Sequence, residues 1–324
     1  MAMIAPTLQQ MRLFASVAEH KSITRAAQEV NLTQPSVSMQ VKALEEKVGL
    51  PLTEQVGKQM HLTTAGEVVY EACLDILGRV SDMEIALNDF RGEVAGPLKI
   101  AVVSSAKYCL PHLLGSFVRR YPQVTPHLEI SNRATLLDRL NRNMDDLYIM
   151  GLAPEEFAVV REPFLENVIV PVARADNPLA GQKGISLAQL AQEPAIGREK
   201  GSGTRDAVER VFAAAGAELN FNIVLDDAEA IKQGVIGGLG FAFLSLHALQ
   251  LELEHGTLAV LDVEGFPLRR RWYAVHRHGK RLSKVATVFL NYLLEEGEEE
   301  VAHLLTAHYE QPEGNSGSDR PGQA

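Results

Sequence analysis

The 324-residue chain has only two cysteines and one tryptophan, and aromatic residues make up 6% of it. It lacks an apolar run near the roughly 18 residues that a membrane span needs, and its start lacks the basic and apolar stretches of a signal peptide. Cys73 and Cys109 stand alone, without metal-ligand spacing, and core packing is the default for both. These absences predict a protein of the reducing cytoplasm with no membrane partner.

Motifs of catalysis are also absent. The chain has no HExxH, no GxSxG, no P-loop and no cysteine pair at zinc spacing. Adjacent acidic residues occur at Asp145-Asp146 and Asp226-Asp227, but such pairs at loop ends are usually solvated. The glycine-rich run at 237–240 follows a helix and precedes a strand, the wrong order for a dinucleotide fingerprint. The sequence therefore predicts neither an enzyme nor a metal protein.

Two short helical patterns lie between Ser22 and Val48, joined by a tight turn at 31–33. Ser22 is a typical N-cap for the first, and Thr33 caps the second, which has Pro35 in its first turn, where a missing N–H costs nothing. Apolar residues recur along the second helix at Val37, Val41, Leu44 and Val48. This pattern predicts one buried face and an opposite face that carries Gln34, Ser38 and Lys42.

That polar face suits DNA, since glutamine and serine exchange hydrogen bonds with base edges and a helix fits the major groove. A surface hairpin of any globular protein is the alternative. The net charge is −10, but eight acidic residues and one basic residue lie from Glu295 onward, and residues 1–66 hold six basic and five acidic residues. A nearly neutral module binds phosphate weakly, which favours a dimer that presents two modules.

Two further elements follow this hairpin. Short extended pieces around 56–59 predict a wing whose Lys58 and His61 contact phosphate or the minor groove, with a plain surface loop as the alternative. Thr64 and Glu67 then have the spacing of a capping box, and the helix that they start runs to about Phe90. Its length of about 39 Å is too great for a compact three-helix unit.

Apolar residues along this long helix follow an unbroken a/d heptad spacing of alternating four and three residues. They are Val69, Cys73, Ile76, Val80, Met83, Leu87 and Phe90. So narrow an apolar stripe predicts pairing with a second copy of the chain. The alternative is an amphipathic helix that lies on another domain.

From Leu98 onward, strand patterns alternate with helix patterns, which predicts a mostly parallel sheet with helices on both faces. A second such series begins at Asn167. The segment RRWYAVH and the helix after it have no strand series of their own, so we expect them to return and complete the first lobe. The predicted domain is α/β and two-lobed, with two crossing strands and a cleft between the lobes.

Ligands of open α/β sheets bind at the carboxyl ends of the strands. Three loops at such ends offer hydrogen-bond donors: Ser104-Ser105-Ala106-Lys107, Ser131-Asn132-Arg133 and Gly201-Ser202-Gly203-Thr204-Arg205. The third loop opens a helix, so its free amides, hydroxyls and guanidinium predict an anion site. We expect Lys107 and Arg133 to add charge from the facing lobe.

The order of these elements resembles a LysR-type transcriptional regulator, and SITRAA, TQPSVS, LEEKVG and LTTAG carry the resemblance. The pieces VVSSAKY, SNRATLLDRL and DDLYIMG resemble the branch that regulates RuBisCO operons, CbbR. Met39 and Gln55 stand where most relatives have arginine, and Thr53 stands where they have phenylalanine.

The resemblance implies an α/β effector domain like that of periplasmic binding proteins, behind an all-α winged helix-turn-helix domain and a long dimerisation helix. The expected boundaries are 1–63 for the DNA-binding domain, 64–92 for the linker helix, 93–165 with 266–295 for lobe I, 166–265 for lobe II, and 296–324 for an acidic, partly disordered tail.

The implied protein is a cytoplasmic homodimer or homotetramer that binds double-stranded promoter DNA. RNA polymerase is a possible further partner. It has no cofactor, but a small effector, a phosphorylated metabolite or NADPH, switches it. Base and backbone contacts are expected from Arg25, Thr33, Gln34, Pro35, Ser36, Ser38, Lys42 and Lys58. Effector contacts are expected from Ser104, Ser105, Lys107, Asn132, Arg133, Gly201, Ser202, Thr204 and Arg205. A LysR-type sensor of an aromatic or amino-acid carboxylate and a two-lobed solute-binding protein are the alternatives.

Overall fold

The computed structural model describes residues 5–57, 59–89, 93–152, 154 and 157–302, without the side chains of 81, 82 and 84–89. Lys58, Phe90, the side chain of Leu87 and the tail from residue 303 lie outside the described residues. The described residues form two units by their internal contacts, one built mainly from residues up to 94 and the other mainly from those after it. None of the described helices combines the length and apolar character of a membrane span.

The first unit contains helices and a small antiparallel sheet. They are α1 (Leu8–His20), α2 (Ile23–Glu29), α3 (Gln34–Val48), β1 (Thr53–Val56), β2 (Gln59–Leu62) and α4 (Thr64–Asp89). The predicted caps are confirmed, since Ser22 accepts a hydrogen bond from the amide of Arg25 and Thr33 accepts one from the amide of Ser36. Phe14, Val37 and Leu44 are fully buried in the shared core.

The helix α4 begins one residue earlier than its sequence pattern predicts. The Thr63 hydroxyl accepts the Gly66 amide at 3.0 Å and donates to the carbonyl of Pro51 at 2.8 Å, so Thr63 is the N-cap. The capping box predicted at Thr64 and Glu67 is therefore wrong. A Cβ at Gly66 would lie 2.0 Å from the carbonyl oxygen of Leu52, so the first turn of α4 requires glycine there.

The predicted heptad stripe divides into two parts within a single chain. Cys73 is 3% exposed and belongs to the core of the first unit, with Val69 packed against it, because α4 lies against α1. Burial raises the pKa of the Cys73 thiol to about 11. Ile76 and Met83, in contrast, are 41% and 57% exposed. Cys73 is thus a core residue of its own chain, and pairing through α4 stays a prediction that rests on Ile76 and Met83.

The second unit is built on strands that alternate with helices. The strands are β3 (Gly96–Val103), β4 (Val124–Ser131), β5 (Leu147–Met150), β6 (Val159–Arg174), β7 (Ala195–Arg198), β8 (Phe221–Leu225), β9 (Phe241–Ser245), β10 (Leu258–Val260) and β11 (Leu268–Arg277). The helices are α5 (Leu110–Arg120), α6 (Arg133–Asn141), α7 (Leu187–Leu190), α8 (Gly203–Ala214), α9 (Ala228–Ile236), α10 (Gln250–Glu254) and α11 (Lys284–Glu300). Two 3₁₀ turns, Ser104–Tyr108 and Leu246–Ala248, follow β3 and β9.

All nine strands form one sheet in the order β4-β3-β5-β11-β6-β9-β7-β8, with β10 paired to β6. Lobe I is the group in which β3 runs parallel to β4 and β5, and lobe II is the group in which β7 runs parallel to β8 and β9. The antiparallel pair of β6 and β11 joins the two groups, and β11 also pairs with β5. The predicted return of the last strand to lobe I is confirmed.

Candidate functional site

A cavity lies at the carboxyl ends of the strands of both lobes, against the middle of β6 and β11. The structure brings six of the nine predicted effector residues to its wall: Ser104, Ser105, Asn132, Arg133, Ser202 and Thr204. Burial is greatest at Ser104 and Ser202, which are 7% and 5% exposed.

Three of the predicted effector residues, Gly201, Arg205 and Lys107, do not line the cavity, and their contact with an effector stays a prediction. Gly201 stands in an exposed turn, and only its neighbours Ser202 and Gly203 line the wall. The Arg205 side chain turns back within its own lobe, where it pairs with Glu209 at 2.7 Å and lies over the ring of Phe221. Arg205 at α8 therefore supports the fold of lobe II and is not a cavity residue.

Lys107 is the third of these residues, and it bridges the two lobes instead. Its ammonium pairs with Asp227 at 2.5 Å, and the neighbouring Tyr108 hydroxyl donates to Glu229 at 3.2 Å. Both carboxylates lie at the start of α9 in lobe II, where Asp227 also caps the helix. Lys107, Tyr108, Asp227 and Glu229 are named the interlobe latch below.

The charges of the latch stabilise one another. Burial alone would raise the pKa of Asp227, but the hydrogen bond from Lys107 holds that pKa below its usual value. Lys232, which is 5% exposed, donates to Glu252 at 2.8 Å and pairs with Glu229 at 2.9 Å. Since each carboxylate of the latch has a cation or a donor within reach, the latch holds the 3₁₀ turn Ser104–Tyr108 against lobe II.

The structure adds cavity residues that the sequence did not predict, among them Asn167, Arg198, Arg270 and Trp272. Arg198 directly follows the AIG strand, so its position at a carboxyl strand end was a usable signal. Arg270 and Trp272 alternate along β11, and residues two apart on a strand share a face. Asn167 on β6 carries no signal in the sequence alone.

The three arginines of the cavity differ in how their charge is balanced. Arg198 is 7% exposed, pairs with Glu199 at 2.8 Å and donates to the Ser104 hydroxyl at 2.9 Å. Arg133 donates to the carbonyl of Leu152. Arg270 donates to the carbonyls of Gly203 at 2.6 Å and Gly151 at 3.2 Å but forms no ion pair with any described residue.

Arg270 is thus a partly buried cation without a counterion. Burial lowers its pKa, and the charge of Arg210 lowers it further, against a smaller opposite effect of the Asp206 carboxylate. A buried charge without a partner is costly, and a bound anion removes that cost. The cavity therefore favours a ligand that carries negative charge.

Further hydrogen-bonding groups in the cavity are unused. The Ser202 hydroxyl makes no capping bond at the start of α8, whose first amides point out of the helix end. Asn167 Oδ1 and Trp272 Nε1 are buried without a hydrogen-bond partner among the described residues. Donors and acceptors that are buried and unsatisfied are rare, so their position on one wall indicates a polar ligand.

The residues expected to contact DNA lie on α2, α3 and the turn between them. Arg25, Gln34, Pro35 and Lys42 are exposed, whereas Ser38 is half-buried. The hydroxyls of Thr33 and Ser36 are 2.8 Å apart and share one hydrogen bond at the cap of α3. Lys58 lies outside the described residues.

Both strands of the wing, β1 and β2, are connected to the helical part of the first unit by hydrogen bonds. Glu45 on α3 accepts hydrogen bonds from the amides of Leu52 and Thr53, at 2.8 and 3.0 Å, and from the Thr53 hydroxyl at 3.1 Å. The Met60 amide donates to the carbonyl of Lys21 at 2.9 Å. A hydrogen-bonded threonine thus occupies the place where the resemblance expects phenylalanine.

Buried beside the cavity, His247 makes the stability of the second unit depend on pH. The centroid of its ring lies 5.1 Å from that of the Trp272 ring. Burial lowers the pKa of His247 from 6.5 to about 4. The unfolded chain therefore binds a proton between these pH values that the folded chain does not, and stability falls as pH falls through this window. At pH 5 we expect a loss of about 2 kcal/mol relative to pH 7.5.

Urea unfolding followed by the fluorescence of Trp272, the single tryptophan, measures this loss. His247→Leu should flatten the pH dependence between 6.5 and 4, and the exposed His255→Gln should not. An equal dependence in the His247→Leu protein would contradict the assignment.

Known protein families match both units. The profile of the bacterial regulatory helix-turn-helix proteins of the LysR family matches residues 8–67, and that of the LysR substrate binding domain matches residues 91–298. The chain belongs to the LysR family of DNA-binding transcriptional regulators.

Individual relatives are consistent with the RuBisCO operon branch, and this resemblance is confirmed. A RuBisCO operon transcriptional regulator of Acidithiobacillus ferrooxidans is 47% identical over 287 residues, 89% of this chain and 93% of its own. The transcriptional activator CmpR of Synechocystis is 45% identical over 89% of this chain and 94% of its own. The regulatory domain of Synechocystis CcmR, solved in complex with 2-PG, is 42% identical, with a TM-score of 0.59 over 61% of this chain and 96% of that one.

Proposed function

We propose that this chain activates carbon-fixation genes and that an anionic metabolite, phosphorylated and of the same kind as 2-PG, binds in the cavity between its lobes. The observation that carries the proposal is Arg270, a partly buried cation without a counterion, beside the free amides of α8. Two relatives, one named for the RuBisCO operon and one as an activator, support the gene class. The CcmR domain supports the ligand class.

In this proposal each residue has a defined role. Arg270, Arg133 and the start of α8 hold the anion, and Ser104, Ser105 and Thr204 donate hydrogen bonds to it. Gln34, Pro35, Ser36 and Ser38 contact bases, and Arg25, Thr33, Lys42 and Lys58 hold the phosphate backbone. Ligand binding draws the lobes together and changes the angle at which paired chains present their helix-turn-helix units to DNA.

The assembly completes the proposal. We propose a cytoplasmic homodimer and homotetramer that pairs through α4, binds double-stranded promoter DNA and engages RNA polymerase. The chain divides as 1–63, 64–92, 93–165 with 266–295, 166–265 and an acidic tail. Pairing compensates for the near-neutral charge of residues 1–66, because two half-sites bind more tightly than one.

Thermal melting of the full chain with 2-PG, NADPH, inorganic phosphate and benzoate tests the ligand class. We expect 2-PG to raise Tm most, because its charge neutralises Arg270 and ligand binding stabilises the folded state by mass action. A rise with benzoate alone would instead support a carboxylate sensor. DNase footprints on the same promoter with and without 2-PG should differ in length or in hypersensitive sites, and identical footprints would remove the switching proposal.

A further inference from the structure

Met39 occupies the centre of the exposed face of α3. Its side chain is 65% exposed, and it stands two residues from both Val37 and Val41, which are buried. Two residues on a helix turn the chain by about 200°, so Met39 points almost directly away from the core. Ser38, expected from the sequence on this face, is half-buried.

The chemistry of Met39 sets it apart from its neighbours. Within α3, all of which is described, no other large apolar side chain is exposed to a comparable degree. The exposed positions around it, Pro35, Lys42 and Glu46, include both charges, so Met39 is a single apolar side chain and not part of an apolar patch. It also packs against no part of the core of the first unit.

A thioether is a poor hydrogen-bonding group, so Met39 has little to offer the donors and acceptors of base edges. The major groove presents one apolar group, the C5-methyl of thymine. We propose that Met39 lies against a thymine methyl in each half-site and makes thymine the preferred base at that position. This proposal rests on the proposed DNA binding and adds to it a residue that sets sequence preference.

The effect of one methyl contact is modest but measurable. Burial of one methyl-sized group corresponds to about a fourfold change in affinity, and two half-sites together give about fifteenfold. Hydrogen bonds from Gln34 and Ser38 do not respond to the methyl group, because deoxyuridine keeps every donor and acceptor of thymine. Replacement of thymine by deoxyuridine therefore isolates the contact.

The experiment begins with selection of a binding site from random DNA duplexes by the full chain. In the selected duplex each thymine pair related by symmetry is replaced by deoxyuridine, and Kd is measured by fluorescence anisotropy at one salt concentration. We expect one symmetric position at which the native protein loses about fifteenfold. Met39→Ala should bind thymine more weakly and be insensitive to the change, whereas Met39→Leu should keep most of the sensitivity.

Leu50→Ala is the matched control, since Leu50 is 54% exposed just after the end of α3. It should keep the full deoxyuridine effect. Equal sensitivity of native and Met39→Ala proteins at every thymine would overturn the role of Met39 while leaving DNA binding intact. Failure to select any duplex would instead overturn the proposed function, and the role of Met39 with it.

Discussion

Arg270→Gln is expected to weaken the binding of 2-PG by about 10- to 150-fold, the equivalent of one charge-assisted hydrogen bond to an anion. Glutamine keeps an amide donor on the same face of β11 but removes the uncompensated charge. The ligand-free protein should therefore melt at the same temperature or higher, because a buried charge without a partner no longer opposes folding. Isothermal titration and thermal melting measure the two effects.

The adjacent Arg269 provides a matched control for this variant. Arg269 points to the other face of β11, where its guanidinium meets Glu166 at 2.9 Å. Arg269→Gln removes the same charge from the same strand but should leave the affinity for 2-PG unchanged. If Arg270→Gln binds 2-PG as tightly as the native protein, the anion does not bind at Arg270 and the effector site must be sought elsewhere.

The double variant Ile76→Asp with Met83→Asp is expected to convert the dimer into monomers. Both side chains are exposed in the single chain and share the heptad stripe, so a dimer through α4 would bury two carboxylates in an apolar seam on each copy. With single half-sites left to bind, affinity for promoter DNA should fall by at least about 100-fold. Sedimentation velocity and anisotropy titrations measure these changes.

Val68→Asp is the control for the stripe, because Val68 lies on α4, is 66% exposed and stands outside the heptad positions. It should stay dimeric and bind DNA normally. A double variant that sediments as the native dimer would show that the copies pair through another surface. Cys73 is unsuitable for such a test, since its substitution disturbs the core of the first unit.

Most of the fold could be predicted from the sequence, because the periodicity of apolar residues is a local property of the chain. The order of strands and helices follows from spacing, the caps at Ser22 and Thr33 follow from residue type, and the return of the last strand to lobe I follows from its lack of a strand series of its own. The one-residue error at the start of α4 arose because two threonines adjoin there. Only the hydrogen bonds of Thr63, to the amide of Gly66 and the carbonyl of Pro51, show which of them caps the helix.

The candidate site is less predictable, because the sequence shows the type of each loop residue but not the direction of its side chain. Lys107 and Arg205 are cations at strand ends, yet both are held by carboxylates of lobe II and neither lines the cavity. Arg270 lies in the middle of a strand, outside the loops that a rule about strand ends selects. A side chain's partners decide its role, and partners distant in sequence carry no local signal.

The turn Ser104–Tyr108 places two tasks within five residues: its first two residues line the cavity, and its last two belong to the interlobe latch. Under the proposed movement of the lobes, the effector concentration at which the protein responds depends on two separable quantities, the affinity of the cavity and the strength of the latch. Substitution of Asp227 or Glu229 would then change the threshold of the response without altering which metabolite is recognised. Related regulators can in this way share a ligand and yet respond at different supplies of it.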